Sequence, residues 1–167
     1  TARKFAMPLL LTAALLSLAS GASRLALGVA AVARPAKWEG IHLHKQARQI
    51  AQAVGAGPHG KIATLSPIYA LEAGFPIYPE FAAGPFLYRV ADHLLPGDRR
   101  YFRTTSPARL MSFLGADQPQ AIITGQEGQL DQGFYDYAAR HGYARSIPAQ
   151  ELPFQLFIKA APRPLAQ

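Results

Sequence analysis

The feature that most constrains this chain is an apolar run near its start. Phe5 to Ser23 (FAMPLLLTAALLSLASGAS) contains nineteen residues and no charged side chain. Because a membrane-spanning helix needs about 17–25 such residues, the run predicts a transmembrane helix. Arg3 and Lys4 precede it, and basic residues favour the cytoplasmic side of a span. We therefore expect the chain after Arg24 to lie outside the cytoplasm.

Two other interpretations of this run stay open. Ser20 to Ala22 supplies the small residues of a signal-peptide cleavage site. Against it, the apolar character continues from Leu25 to Ala33, and the chain opens on Thr1 rather than Met, so we expect a piece of a longer polypeptide. The third interpretation is a buried helix of a soluble core, which the length of the run disfavours but does not exclude.

Composition excludes several chemistries. The 167 residues include no Cys, which removes disulfides, thiolate catalysis and cysteine-ligated metals. The net charge of +7 would suit a nucleic-acid partner. However, four basic residues flank the apolar runs, namely Arg3, Lys4, Arg24 and Arg34. Since flanking cations anchor proteins at membranes, we expect membrane lipid and no nucleic acid as a partner.

The rest of the chain predicts a small α/β domain. We assign residues 1–34 to the transmembrane helix with its flanks and residues 35–167 to an extracytoplasmic domain. Apolar runs bounded by turn residues predict strands at Lys61 to Leu65, Ala121 to Thr124 and Phe154 to Ala160. Because predicted helices lie between these strands, we expect a mostly parallel, three-layer α/β domain with right-handed crossovers.

Helices are predicted where apolar residues recur at spacings of three and four and where Pro or Gly marks an end. They run from Leu43 to Val54, from Pro67 to Gly74, from Pro85 to Leu94, from Pro107 to Gly115 and from Leu130 to His141. Pro96 and Gly97 are interpreted as the end of the third of these helices.

The densest stretch is Pro67 to Arg89 (PIYALEAGFPIYPEFAAGPFLYR), with four prolines and six aromatic residues. This composition excludes a long helix or a regular strand, so we expect a structured loop whose side chains pack on one another. Loops of this length are often functional. We therefore select five candidate substrate-binding residues: Tyr69, Glu72, Tyr78, Glu80 and Arg89.

The two glutamates of this stretch allow two interpretations. A carboxylate among aromatic rings can hydrogen-bond sugar hydroxyls while the rings stack on the sugar, or it can act as an acid or base. The competing interpretation is a structural ion pair with Arg89. Elsewhere, Arg99 to Arg103 (RRYFR) predicts either a grip on phosphate groups of lipid or nucleic acid or a solvated loop with two rings turned inward.

No catalytic residue is assigned. His42 and His44 are two residues apart and would point in nearly opposite directions on a helix. His141 lies on an apolar helix face, where a core histidine is more common than a ligand. The chain contains neither a nucleophile elbow nor a dinucleotide fingerprint. We expect no metal and no cofactor.

Two segments carry a family resemblance. They are KIATLSPIYALEAGFPIYPEFAAGPFLYR, from Lys61 to Arg89, and AIITGQEGQLDQGFYDYAARHGY, from Ala121 to Tyr143. With the apolar run before them, they resemble the C-terminal extracytoplasmic portion of bacterial integral-membrane glycosyltransferases of the GT-C type, the group related to protein mannosyltransferases and the lipid A aminoarabinose transferase. The resemblance covers essentially the whole chain. It implies an inner-membrane protein whose soluble part lies on the periplasmic side.

The resemblance also implies a function. Enzymes of this group transfer a sugar from a polyprenyl-phosphate donor, and their catalytic acidic residue lies in the first extracytoplasmic loop, to which nothing here corresponds. The implied role is a non-catalytic C-terminal portion, whose partners are the remaining transmembrane bundle, membrane lipid and the polyprenyl-phosphate-sugar donor. The alternative is a self-contained, membrane-anchored or secreted binding module for a glycan or a partner protein. An exposed apolar patch would favour docking on a transmembrane bundle, and a concave pocket with convergent polar groups would favour a ligand.

Overall fold

The computed structural model describes residues 11–22, 32, 38–55, 60–146 and 152–159. The chain divides into two compact units, Thr1–His42 and Leu43–Gln167. The first unit contains helix α1 (residues 11–22) and the start of helix α2 (Glu39–Val54). The second unit contains the rest of α2, the sheet and the remaining helices.

Helix α1 covers part of the predicted transmembrane run. Phe5 to Ser23 extends beyond the described residues at both ends, and residues 11–22 of it are helical. Four leucines of α1 are each at least 58% exposed: Leu11, Leu15, Leu16 and Leu18. Within the part of the chain that the structure describes, no helix has both the length and the apolar character needed to cross a membrane.

The helices of the second unit are short and begin at prolines in three cases. After α2 they are α3 (Pro67–Glu72), α4 (Pro85–Val90), α5 (Pro96–Tyr101), α6 (Leu110–Ala116) and α7 (Gln132–Arg140). Proline occupies the first turn of α3, α4 and α5, where its fixed φ favours the helix and its missing N–H breaks no hydrogen bond. The predicted helices are confirmed, with shifted ends.

Helix α5 corrects the interpretation of Pro96. The sequence predicts Pro96 and Gly97 as the end of the preceding helix, but Pro96 is the first residue of a new one. The reason is that a proline which cannot continue one helix is well suited to start the next.

The stretch from Pro67 to Arg89, which we expect to be a loop, contains α3, a 3-10 turn at Pro79–Phe81 and most of α4.

The sheet has four strands in the order β1-β2-β4-β3, which confirms the α/β class. They are β1 (Ile62–Thr64), β2 (Ala121–Thr124), β3 (Tyr143–Ser146) and β4 (Gln155–Lys159). β1 pairs with β2 in parallel, whereas β4 lies antiparallel to both β2 and β3. The sheet is therefore mixed, and the prediction of a mostly parallel sheet is wrong.

The missed strand β3 explains this error. Only Tyr143 of β3 is buried, so the strand carries too few apolar residues to be recognised in the sequence. Residues 147–154 separate β3 from β4, which is a connection of eight residues. Because a parallel crossover needs roughly a dozen or more residues, β4 enters the sheet antiparallel to β3.

Buried side chains form two clusters on opposite faces of the sheet, since neighbouring strand residues point to opposite faces. The aromatic cluster consists of Ala63, Leu65, Tyr78, Phe81, Tyr88, Leu110, Leu114, Ile122, Phe134, Tyr137, Ala138 and Tyr143. The aliphatic cluster consists of Ile50, Ile62, Ala70, Phe75, Ala121, Ile123, Phe154 and Leu156. Helices α4, α6 and α7 contribute to the first cluster, and α2 and α3 to the second.

Candidate functional site

A cleft of about 670 Å³ borders the aromatic cluster. Its volume lies within the roughly 300–1,000 Å³ of small-molecule sites in proteins. Four arginines line it, together with three hydroxyl side chains and one carboxylate: Arg99, Arg100, Arg103, Arg109, Thr104, Thr105, Ser112 and Glu80. The cleft is thus strongly cationic and rich in hydrogen-bond donors.

Aromatic packing supports one wall of this cleft. Phe113 lines the cleft, and its ring centroid lies 5.5 Å from that of Tyr78 and 5.7 Å from that of Phe81, both edge-to-face. Phe81 also packs on Tyr88 and Phe134. Because edge-to-face ring contacts prefer particular geometries, they fix the orientation of the Phe113 ring at the cleft.

The 3-10 turn Pro79–Phe81 presents Glu80 to the cleft. Phe81, which follows Glu80, is fully buried, and Tyr78, which precedes the turn, is 1% exposed. The Tyr78 hydroxyl donates a hydrogen bond to the Asp117 carbonyl oxygen at 2.6 Å. Burial, assisted by the Asp117 carboxylate, raises the pKa of Tyr78 well above its ordinary value of 10, so this donor keeps its proton.

Helix α5 and the turn after it position three of the arginines. The Phe102 N–H donates to the Asp98 carbonyl at 2.8 Å, and the Thr104 N–H donates to the Arg99 carbonyl at 3.0 Å. Arg103 adopts a positive φ of 45°, a conformation that costs a non-glycine residue about 1–2 kcal/mol. The backbone hydrogen bonds hold this turn, which brings Arg103 and Thr104 to the same cleft as Arg100.

Arg99 differs from the other arginines because its guanidinium is already anchored. Its Nη1 donates to the carbonyl oxygen of Ala91 at 3.1 Å and to that of Leu94. Arg100, Arg103 and Arg109 are exposed, and none of them forms an ion pair with a carboxylate in the described ranges. No carboxylate of the described residues therefore competes with a ligand for these three guanidinium groups.

Three consecutive hydroxyl residues follow the arginine turn. Thr104, Thr105 and Ser106 are 8%, 5% and 0% exposed. Thr104 Oγ1 donates to the Thr105 carbonyl oxygen at 3.1 Å, and Ser106 Oγ has no hydrogen-bond partner among the described residues. Guanidinium groups next to hydroxyl donors are the chemistry that recognises phosphate. The cleft can therefore bind an anion that has several oxygen atoms.

The structure distributes the five predicted site residues over several places. Glu80 is the one that lines the cleft. The Tyr69 ring packs 4.7 Å from the ring of Phe154 beside the aliphatic cluster. Tyr78 belongs to the aromatic cluster, which leaves its ring no face on which a sugar could stack.

Glu72 and Arg89 lie at the surface. Glu72 Oε1 accepts a hydrogen bond from His44 Nδ1 at 2.7 Å, and among the described residues neither Glu72 nor Glu80 pairs with Arg89. The loop's candidate residues thus do not converge on one site, and Glu80 alone joins the arginines.

The RRYFR segment faces outward. Tyr101 is 82% exposed and Phe102 is 49% exposed, so the interpretation with two rings turned inward is wrong. Three further apolar side chains of the segment before it are also exposed, namely Phe86, Val90 and Leu95. Residues 86–102 therefore combine exposed apolar side chains with arginines that line the cleft.

Four of the residues that complete the cleft are not among the predicted site residues. Thr104 and Thr105 directly follow the arginine segment. Such a run of hydrogen-bond donors in the sequence indicates a candidate anion site. Arg109 and Ser112 lie on the 3-10 turn before α6 and on α6 itself. No sequence pattern links them to Glu80, because packing alone brings these elements together.

Comparison with known proteins gives no relative. No protein-family model, no curated protein and no solved structure matches the chain. The resemblance to GT-C glycosyltransferases therefore stays a prediction. In the described part of the chain, no group of three or more His, Asp or Glu side chains could hold a metal ion.

Proposed function

We propose that this chain is the non-catalytic C-terminal extracytoplasmic portion of a membrane glycosyltransferase, and that its cleft binds the phosphate of a polyprenyl-phosphate-sugar donor. The observation that carries the proposal is the convergence of four arginines and three hydroxyl residues in one cleft. Guanidinium groups bind phosphate oxygens in a bidentate manner and keep their charge at every physiological pH.

The neighbouring surface supports a lipid source for this phosphate. Phe86, Leu95 and Tyr101 are 78%, 70% and 82% exposed, and they lie in the same segment as Arg99 and Arg100. Apolar and aromatic side chains beside cations suit the interface between lipid headgroups and acyl chains. From such a position the arginines of the cleft would reach the phosphate of a lipid whose hydrocarbon chain lies in the membrane.

The apolar run Phe5 to Ser23 supports the membrane location. Its nineteen uncharged residues are enough for a span, and the leucines of α1 are exposed. In this proposal the helix lies in the inner membrane among the remaining spans of the transferase, and the α/β domain lies at the periplasmic face.

The direct test is sugar transfer by the natural full-length protein in its own membranes. Replacing both Arg100 and Arg109 by Ala removes two charged donors, each worth about 1.5–3 kcal/mol, so we expect kcat/KM for the polyprenyl-phosphate donor to fall at least roughly a hundredfold. Arg140→Ala is the matched control, because Arg140 is exposed on α7 and does not line the cleft. Equal transfer by the double variant and the control would refute the proposal.

The alternative is a self-contained binding module, which the concave cleft with convergent polar groups also supports. The intact mass of the natural polypeptide separates the two. A mass far above 18.0 kDa is expected for the transferase, because it requires many spans in addition to these residues. A mass near or just below 18.0 kDa would favour the module.

A further inference from the structure

The arginines account for only part of the cleft. Glu80 lines the same cleft from a different element, the 3-10 turn Pro79–Phe81. It is half-buried, and it forms no ion pair with any described residue. A carboxylate repels a bound phosphate. A cleft built for a bare phosphate would therefore be better without Glu80.

The position of Glu80 is nevertheless firmly fixed. The Phe81 N–H donates to the Tyr78 carbonyl oxygen at 3.0 Å, and the Ala82 N–H donates to the Pro79 carbonyl oxygen at 3.1 Å. Phe81, which follows Glu80, and Tyr78, which precedes the turn, are both buried. The fold thus fixes the backbone of Glu80 beside the cleft, which its side chain lines.

A carboxylate in this position is suited to hydroxyl donors. An ionised carboxylate only accepts hydrogen bonds, and it has about four lone-pair sites. Sugar hydroxyls supply such donors, while the apolar face of a sugar ring can lie against Phe113, which also lines the cleft. The volume of about 670 Å³ leaves room for a sugar beside a phosphate.

We infer that the cleft binds a phosphorylated sugar, with Arg100, Arg103 and Arg109 on the phosphate and Glu80 accepting hydrogen bonds from sugar hydroxyls. This inference rests on the proposed function and deepens it, because it assigns the two halves of the donor headgroup to two walls of the cleft. The affinity for phosphate comes from the three arginines, and the preference for a glycosyl phosphate over a bare phosphate comes from Glu80.

Calorimetric titration of the full 167-residue chain in detergent tests this assignment without any lipid. The probes are inorganic phosphate and the 1-phosphates of glucose, galactose and mannose. We expect at least one hexose 1-phosphate to bind roughly tenfold more tightly than phosphate, which is the effect of about 1.4 kcal/mol. In Glu80→Gln we expect that advantage to disappear while the affinity for phosphate is retained or increased.

Two variants keep the test decisive. Glu127→Gln removes the same charge at another half-buried position outside the cleft lining and should leave the preference intact. Glu80→Asp keeps the charge but withdraws the carboxylate, and its preference should be intermediate. Thermal unfolding of each variant checks that it is folded.

The outcomes separate the inference from the proposed function. If phosphate and all hexose 1-phosphates bind equally, or if Glu80→Gln keeps the full preference, the sugar assignment is overturned while the phosphate-binding function stands. If neither phosphate nor any hexose 1-phosphate binds, both are overturned.

Discussion

The two faces of the sheet differ in what their side chains can do. The face with the aromatic cluster contains four buried tyrosines, Tyr78, Tyr88, Tyr137 and Tyr143, and Phe113 connects that cluster to the cleft. The face with the aliphatic cluster is built mainly from Ile, Ala and Leu, and none of its members lines the cleft. Both faces stabilise the domain, but the proposed site depends on one of them.

The aromatic rings next to the cleft can hold its lining residues in fixed orientations. Aliphatic side chains contribute through buried area alone, whereas edge-to-face rings also prefer particular orientations. Phe81 contacts four other rings, at centroid distances from 5.3 to 6.0 Å. Such a network sets the position of Phe113 and of the turn that carries Glu80.

Phe81→Ala should have the largest effect. Phe81 is fully buried, so removing its ring leaves a cavity and should lower the free energy of unfolding by about 3–5 kcal/mol. The folded fraction should also bind phosphate more weakly, because Phe113 loses its support. Urea unfolding followed by circular dichroism measures the first effect, with Leu95→Ala as the exposed control. A loss no greater than that of the control would contradict the central place of Phe81.

Ile123→Ala tests the opposite face. Ile123 is 1% exposed in the aliphatic cluster, and its truncation should lower the free energy of unfolding by about 2–5 kcal/mol. The phosphate affinity of the folded protein should stay unchanged, because no residue of this cluster touches the cleft. Equal losses of affinity in Ile123→Ala and Phe81→Ala would abolish the distinction between the faces.

Alkaline pH should lower the free energy of unfolding through the buried tyrosines of the aromatic cluster. Burial raises the pKa of Tyr78, Tyr88 and Tyr143 above the ordinary value of 10. Above that value the unfolded chain loses protons that the folded chain keeps, so stability is complete below about pH 10 and falls as pH rises, by up to roughly 1.4 kcal/mol per tyrosine and pH unit. Urea unfolding at about pH 8 and about pH 11 measures the fall.

A single substitution sharpens the alkaline prediction. In Tyr143→Phe the fall should be smaller, because one ionising group is absent from both states. If the wild-type protein were as stable at the higher pH as at the lower one, the buried tyrosines would not keep their protons in the folded state.

The smallest expected effect separates two buried hydroxyls of the same cluster. Tyr137 donates to the Leu114 carbonyl oxygen at 2.8 Å, so Tyr137→Phe should cost about 1 kcal/mol and leave that acceptor unpaired. The Tyr88 hydroxyl has no partner among the described residues, so Tyr88→Phe should be neutral or slightly stabilising. Urea midpoints compare the two, and an equal loss in both would mean that Tyr88 has a partner.

Much of the domain could be predicted from its sequence, because local signals coincide with its elements. Strand β2 occupies Ala121–Thr124 as predicted, since a short run rich in β-branched residues and bounded by turn residues favours a buried strand. Strand β3 was missed because its residues after Tyr143 face solvent. The antiparallel direction of β4 depends on the short connection from β3, so it could not be predicted without β3.

The candidate site was less predictable than the fold. Glu80 and the arginines of RRYFR were each recognised, but as parts of separate loops. Their meeting depends on how the turn at Pro79–Phe81 packs against Phe113 of α6 and on the elements that line the cleft with it, and this arrangement has no local sequence signal. The aromatic residues of the same stretch were assigned to sugar stacking, whereas burial directs Tyr78 into the core.

The most direct test of the account is binding of the full chain to phosphatidylcholine vesicles with and without a polyprenyl phosphate. We predict that the polyprenyl phosphate strengthens binding, that the double substitution Arg100→Ala with Arg109→Ala removes this gain, and that Arg140→Ala retains it. Co-sedimentation at a fixed salt concentration measures the bound fraction. Equal binding of the wild-type chain to both kinds of vesicle would contradict the claim that the cleft recognises a lipid phosphate.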